Sequence, residues 1–347
     1  GLCGRSSDGS HQPAPKLTLE TAATAPLAVR LAARATRAHG GRTTTLVDMS
    51  RPPSWFTGAI ANKPSTRSVD VDGCAINYLT WGDPRMPCLL LLHGGAAHAH
   101  WWSFIAPQFT QRYFVIAPDL SGHGDSGWRE SYSMEQWADE VMAVAAAAGA
   151  PERPIVVGHS MGGHVAIAIA ARFGHDLAGA IIVDAPVSVP DPESEEGEHG
   201  RMFKNPKTYP DLETAVDHFH LMPPQPCDND FIVDHIGRHS LKETTEGWTW
   251  KFDPLVFARE RYQTNSYLER AKCRLALMHG QLSDLVTPEV QAHMEELTGR
   301  NAPMVEIPQA YHHIPLDQPL ALIAAIRAIL ADWDHSIDKK QLRDLTT

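Results

Sequence analysis

One serine in this sequence has neighbours of the types that a catalytic nucleophile requires. The segment Gly158-His-Ser160-Met-Gly162 follows four apolar residues and precedes an alanine-rich stretch with helical periodicity. A serine on a sharp strand-to-helix turn has strained backbone angles, and its neighbours must lack a Cβ atom. The N-terminus of the next helix offers N–H groups and a positive dipole end to a developing oxyanion. The pattern therefore predicts Ser160 as a nucleophile.

A serine hydroxyl is a poor nucleophile without a base, and a histidine late in the sequence can supply one. His312 follows the last predicted strand, and Asp284 follows the strand before it. A carboxylate at Asp284 could fix the tautomer of the imidazole. Because the carboxyl ends of parallel strands share one sheet edge, we expect Ser160, Asp284 and His312 to meet there. His313 is an alternative base, and Asp184, which ends the strand after the nucleophile helix, is an alternative acid.

Four motifs in this order resemble those of the α/β-hydrolase superfamily, in the group with a serine nucleophile and a helical cap. Over about residues 68–335 they comprise His93-Gly94-Gly95, Asp119–Ser126, the serine turn, and the acid and histidine segments. The resemblance implies a mostly parallel eight-stranded sheet with helices on both faces and an inserted helical cap. It also implies an oxyanion hole made by the backbone N–H groups of Gly95 and Met161.

The resemblance implies a carboxylesterase-like reaction through an acyl-enzyme, on a small-molecule ester with an apolar acyl group. The same triad in relatives cleaves lactones or carbon–carbon bonds, so a lactonase or C–C hydrolase is an alternative. A ligand receptor that keeps the fold is an alternative of another class. Relatives that open epoxides or cleave carbon–halogen bonds use an aspartate nucleophile, and Ser160 argues against both reactions.

The hydrophobic pattern predicts the elements that position these residues. Short apolar runs alternate with helical stretches, which is typical of parallel strands covered on both faces. After a hairpin that turns at Asp72-Gly73, the predicted strands are Cys88–Leu92, Phe114–Ala117, Pro154–Val157, Ala178–Val183, Arg274–Met278 and Met304–Ile307. The predicted helices are Met134–Ala148, Met161–Phe173, Pro288–Leu297 and Pro319–Trp333.

Residues 186–268 interrupt the alternation and are much longer than a usual connection. Several aromatic residues in this stretch argue against disorder and predict a helical cap inserted into a core of residues 53–185 and 269–337. Residues 1–52, rich in Ala, Thr and Arg, are predicted to be a poorly structured or non-native extension. Residues 338–347 are predicted to be a C-terminal tail.

Composition excludes several classes of function. The 347 residues carry a net charge of −11, which argues against nucleic acids and anionic membrane surfaces as partners. Apolar runs are too short to span a bilayer, so we expect no stable membrane insertion. Five scattered cysteines without a Cys-x-x-Cys pair are typical of a reducing compartment, which predicts a cytoplasmic location. The oligomeric state is left open.

His98 and His100 could suggest a metal, since two imidazoles separated by one residue can chelate zinc. The sequence contains 19 histidines, so such a pair also arises by chance. We expect these two side chains to start a helix or line a pocket, and we expect no metal ion and no cofactor.

Overall fold

The computed structural model describes residues 51–151, 153–189, 206–257 and 264–335. Nearly all of the predicted N-terminal extension, the predicted C-terminal tail and parts of the predicted cap lie outside these ranges. Within them, no helix combines the length and hydrophobicity needed to cross a bilayer.

Eight strands form one sheet in the order β1-β2-β4-β3-β5-β6-β9-β10. Strand β2 runs antiparallel to both of its neighbours, and the other pairings are parallel. The strands of this sheet are β1 (Ser65–Val71), β2 (Cys74–Trp81), β3 (Cys88–Leu92), β4 (Phe114–Pro118), β5 (Ile155–His159), β6 (Gly179–Val183), β9 (Leu275–Gly280) and β10 (Met304–Ile307). Strands β7 (Leu241–Thr244) and β8 (Gly247–Trp250) form a separate antiparallel pair. The predicted eight-stranded, mostly parallel sheet is confirmed.

The hairpin between β1 and β2 turns where the sequence predicts it. Asp72 and Gly73 both have positive φ angles, 51° and 77°, and the strands pair directly outside them at Val71 and Cys74. Two central residues with positive φ define a turn whose twist matches that of the flanking strands.

Helices cover both faces of the sheet. The described α-helices are α1 (Ser54–Ala61), α2 (Met134–Ala147), α3 (Met161–Phe173), α4 (Leu212–Asp217), α5 (Asp230–His239), α6 (Thr264–Glu269), α7 (Pro288–Leu297), α8 (Ile314–Asp317) and α9 (Pro319–His335). Alternate residues of β3 belong to two different hydrophobic clusters. Leu90 lies in the cluster with Trp137 of α2, and Leu91 lies in the cluster with Ile326 of α9. The strands are therefore buried on both sides, which explains their continuous apolar sequences.

The inserted segment, defined here as residues 206–257, lies between β6 and the second half of the core. It contains helices α4 and α5, as the sequence predicts, and also the β7–β8 hairpin, which the sequence analysis did not assign. Gln225 accepts a hydrogen bond from the backbone N–H of His313 (2.8 Å), and Ser240 is bonded to His98 (2.9 Å). His98 and His313, the two core residues of these bonds, lie in loops that follow the carboxyl ends of core strands. The inserted segment therefore packs against the sheet edge at which Ser160 lies.

Candidate active site

Ser160 lies at a strained turn between β5 and α3. Its φ and ψ angles are 54° and −121°, a backbone conformation that costs free energy for any residue with a side chain. The flanking glycines make the turn sterically feasible. A Cβ atom on Gly158 would lie 2.1 Å from the carbonyl oxygen of Gly162, and one on Gly162 would lie 2.5 Å from that of His93. The glycine spacing thus follows from backbone contacts on both sides of the serine.

His312 is in position to accept the proton of Ser160. Its Nε2 lies 3.0 Å from Oγ of Ser160, and the side chain is buried at 4% exposure. The imidazole of His159 donates from Nε2 to the backbone carbonyl of His312 (2.9 Å), which ties the histidine loop to the serine turn. The structure therefore brings Ser160 and His312 together, as the sequence predicts.

Asp184 occupies the position that the sequence analysis assigned to Asp284. One oxygen of the fully buried Asp184 carboxylate lies 3.1 Å from Nδ1 of His312. Residues His159 and Val183 are paired across β5 and β6, so Ser160 and Asp184 leave adjacent strands at the same level. Asp184 has a φ of 45°, which turns the chain directly at the strand end.

The Asp184 carboxylate is further fixed by the last residue of β9 and by the loop that follows. Its Oδ2 accepts the backbone N–H of Gly280, and its Oδ1 accepts the hydroxyl of Ser283, each at 2.8 Å. These donors hold the buried carboxylate in one orientation. Ser283 is a residue of the site that the sequence analysis missed, since a lone serine in a loop carries no distinctive pattern.

The expectation that Asp284 partners the histidine is corrected by this geometry. Asp284 is exposed in the loop after β9, and among the described residues no hydrogen bond or ion pair joins it to His312. The loop contributes its neighbour Ser283 instead, which bonds to Asp184. The strand order explains the difference, because β6 lies between β5 and β9 and its end is closer to the serine strand.

His313, the alternative base, contacts the inserted segment, and no hydrogen bond joins it to Ser160 among the described residues. Its Nε2 lies 3.3 Å from the carbonyl oxygen of Pro223 in the inserted segment. Burial lowers the pKa of His313 well below its ordinary value and lowers that of His159 to about 3. The two imidazoles beside His312 are therefore uncharged at neutral pH.

The segments expected to supply oxyanion donors lie beside Ser160. Met161 is the first residue of α3, so its backbone N–H is at the positive end of the helix dipole. A Cβ atom on Gly94 would lie 3.3 Å from Cβ of Ser160, and one on Gly95 would lie 3.7 Å from Sδ of Met161. The same Gly95 position is 3.0 Å from Cε1 of Phe257, so an aromatic ring of the inserted segment lies against this loop.

A buried polar network holds the glycine loop in place. Nε2 of His93 accepts the backbone N–H of Leu120 (3.1 Å), and Nδ1 donates to the carbonyl of Gly94 (2.7 Å). Burial lowers the pKa of His93 to about 4, consistent with a neutral ring. Asp119 accepts bonds from the backbone N–H of Ala99 (2.6 Å), the side-chain amide of Asn77 and the backbone N–H of Asp125, and burial raises its pKa to about 6. Hydrogen bonds thus form within the His93-Gly-Gly loop and within the Asp119–Ser126 loop, and they also join the two loops to each other.

The described residues contain two groups of three histidines. Within each group, one ring nitrogen of every histidine lies within 4.8 Å of a ring nitrogen of the other two. His159, His312 and His313 form the first group, in which Nε2 of His312 is already bonded to Ser160. His100, His235 and His239 form the second group, which joins the turn Ala99–Trp102 to helix α5.

Comparisons with known proteins agree with the geometry. A sequence model of the alpha/beta hydrolase family matches residues 89–326. The esterase Rv0045c of Mycobacterium tuberculosis is 28% identical over 278 residues, which cover 78% of this chain and 91% of that protein. The family match and this similarity support hydrolase or esterase activity.

Solved structures share the fold over nearly their whole length. The thioesterase domain from the curacin biosynthetic pathway has a TM-score of 0.66 at 25% identity and covers 76% of this chain and 99% of that domain. E-2-(acetamidomethylene)succinate hydrolase has a TM-score of 0.69 at 19% identity, over 77% of this chain and 99% of that chain. At 19% identity the likeness concerns the fold alone.

Proposed function

Since the chain belongs to the alpha/beta hydrolase family, we propose that it is a serine hydrolase of small-molecule carboxylic esters. The observation that carries the proposal is the continuous line of hydrogen bonds from Ser160 through His312 to Asp184, at 3.0 and 3.1 Å. The serine is at a strained turn that a merely structural residue would not require. Nucleophile, base and orienting acid are all within hydrogen-bond distance, as acyl transfer requires.

The first half of the reaction forms an acyl-enzyme. Ser160 Oγ attacks the ester carbonyl while Nε2 of His312 takes the hydroxyl proton, and Asp184 stabilises the imidazolium through Nδ1–H. The carbonyl oxygen gains the negative charge, and the backbone N–H groups of Gly95 and Met161 donate to it. The tetrahedral intermediate then collapses, the C–O bond to the alcohol breaks, and His312 returns the proton to the leaving oxygen.

The second half repeats these steps with water. His312 takes a proton from the water that attacks the acyl carbonyl, and the proton returns to Ser160 Oγ as the acid leaves. A base–nucleophile pair and an oxyanion hole each contribute about 10² to 10⁴ in rate. The acyl group is proposed to be apolar, because Phe257 and Met161 flank the Gly95 position.

The test is steady-state hydrolysis of p-nitrophenyl esters, from acetate to long-chain acyl groups, by the wild type and Ser160→Ala. We expect turnover by the wild type and a loss of about 10³-fold or more in the variant. Ser131→Ala, which alters an exposed serine before α2, is the matched control and should retain activity. The chain-length optimum then measures the acyl pocket. Absence of turnover on every ester, or a single burst followed by arrest, would contradict the proposal.

A further inference from the structure

Three histidines from two parts of the fold converge outside the proposed catalytic site. His235 and His239 lie one turn apart on α5 of the inserted segment, so their side chains share one face of the helix. His100 belongs to the short 3₁₀ turn Ala99–Trp102, which follows the glycine loop of the core. One ring nitrogen from each lies within 4.8 Å of the other two.

The ring positions fit a shared ligand. The ring centroids of His100 and His239 are 4.1 Å apart, and those of His235 and His239 are 4.3 Å apart. Tetrahedral zinc with bonds of about 2.0–2.1 Å brings its nitrogens to about 3.4 Å from one another. Side-chain rotations that bring the nitrogens closer by at most about 1.4 Å would complete that geometry. All three side chains are partly exposed, so an ion can reach them from solvent.

Hydrogen bonds leave nitrogens of these rings available. Nδ1 of His239 donates to the carbonyl of His235 (2.8 Å), and Nδ1 of His100 lies 2.8 Å from Oγ of Ser103, which can accept its proton. Their Nε2 atoms then carry lone pairs. Nε2 of His235 is buried and has no hydrogen-bond partner among the described residues. A buried nitrogen of this kind usually has a partner, and outer hydrogen bonds to Nδ1 are typical of metal-ligating histidines.

The charges around the group permit a cation. Burial lowers the pKa values of His100 and His235 to about 3 and also lowers that of His239, so the imidazoles are neutral, as metal binding requires. Within the described ranges, Lys251 is the cationic side chain whose charge acts on His98, His100 and His239. It is paired with Asp125 at 2.7 Å, which offsets its repulsion of a dication.

We propose that His100, His235 and His239 bind one divalent transition-metal ion of the zinc class, with water in the fourth position. Two ligands come from the inserted segment and one from the core, so the ion joins the two across the sheet edge. Neither the ligands nor the ion take part in the ester reaction proposed above, and the site stands whether or not that reaction is correct. His98 lies outside this group: its Nε2 is bonded to Ser240 (2.9 Å), and the ring nitrogens that lie within 4.8 Å of one another are those of His100, His235 and His239.

Cobalt(II) is the probe for the first experiment, since tetrahedral Co²⁺ with nitrogen ligands has visible absorption bands that report its coordination. The full chain, stripped with a chelator, is titrated with Co²⁺ and then with Zn²⁺ as competitor. We expect one equivalent of Co²⁺, tetrahedral bands, and displacement by Zn²⁺. His239→Gln and His235→Gln should each weaken binding by tenfold or more, whereas His313→Gln, in the other histidine group, should not.

Thermal unfolding gives a second readout that does not depend on colour. A ligand that binds only the folded state raises Tm with concentration. Zn²⁺ should therefore raise the Tm of the wild type and of His313→Gln, and it should leave the Tm of His239→Gln unchanged. The cooperative unfolding transition of His239→Gln in the same measurement verifies that this variant folds. Absence of stoichiometric binding, equal binding by His239→Gln, or loss of binding in His313→Gln alone would overturn the proposal. In the first two cases the three rings are an aromatic cluster only, in which His235 packs against Phe56 and Phe104.

Discussion

Asp184 accepts a hydrogen bond from Nδ1 of His312 at 3.1 Å, from a position directly after the strand that neighbours the serine strand. This bond assigns the proton of the neutral imidazole to Nδ1, so that Nε2 presents its lone pair to Ser160. The carboxylate is fully buried and the imidazole nearly so, which keeps the pair out of competition with water. The orientation of the base therefore depends on the end of β6.

Replacing Asp184 should cost far more activity than replacing Asp284. Asp184→Asn removes the charge that stabilises the imidazolium, and its amide can favour the wrong tautomer of His312. We expect kcat to fall by about 10³ to 10⁴. Asp284→Asn is the matched control, because Asp284 is exposed in the loop after β9, and it should change kcat less than threefold. Steady-state kinetics on a p-nitrophenyl ester compares the two, and equal losses would contradict the assignment of Asp184.

Ser283 should act through the orientation of Asp184. Its hydroxyl donates to the same carboxylate oxygen that His312 contacts. Loss of one such bond is worth about 1 kcal/mol, so Ser283→Ala should lower kcat about fivefold and leave KM nearly unchanged. Ser283→Thr, which keeps the hydroxyl, should recover most of the loss. An effect of Ser283→Ala that persists in the Asp184→Asn background would show that the serine acts elsewhere.

Much of this architecture could be predicted from local sequence. The glycines around Ser160, the apolar strands and the Asp72-Gly73 turn each respond to constraints within a few residues, and the structure has those strands and that turn where the sequence indicates them. The acid could not be chosen in the same way. Asp184 comes directly after one strand, and Asp284 comes shortly after another. Only the order of the strands in the sheet places Asp184 beside His312.

The second histidine group shows the same limit. His98 and His100 are visible as a pair in the sequence, which predicts that they start a helix or line a pocket. His235 and His239 approach His100 only because the inserted segment packs against the loop after β3, a contact between residues 135 or more positions apart. No local periodicity contains that information. Strands can be predicted from the local sequence, whereas tertiary contacts between loops have to be seen in the structure.

The serine turn should tolerate no side chain at Gly162. A Cβ atom there would lie 2.5 Å from the carbonyl oxygen of His93 and 2.6 Å from that of Leu92, and neither backbone atom can move freely. Gly162→Ala should therefore lower the free energy of unfolding by about 3 kcal/mol or more. Gly58→Ala in α1 is the control, since no atom lies within 4 Å of its Cβ position. There alanine should stabilise the helix by up to about 1 kcal/mol. Urea denaturation measures both changes, and a stable Gly162→Ala protein would contradict the contact.

His93 should make the protein less stable in acid. Its pKa is lowered by burial to about 4, whereas an unfolded histidine titrates near 6.5. Between these values the unfolded state binds more protons than the folded state, so stability falls as pH falls. The contribution of this one group is about 1.4 kcal/mol per pH unit, or about 3 kcal/mol over the window, and protonation would also break the bond from the backbone N–H of Leu120.

The contribution of His93 can be separated from those of the other buried groups by comparing variants. Asp119, whose pKa is raised to about 6, acts in the opposite sense below that pH, and it does so in wild type and variants alike. His93→Gln keeps an acceptor for the Leu120 N–H but does not titrate, so its free energy of unfolding should fall less steeply from pH 6.5 to 4. His218→Gln, at an exposed position, should reproduce the wild-type slope. Urea denaturation at half-unit pH steps measures all three slopes. Identical slopes for the wild type and His93→Gln would show that burial does not lower the pKa of His93, and that its neutral ring is not what links the glycine loop to the loop after β4.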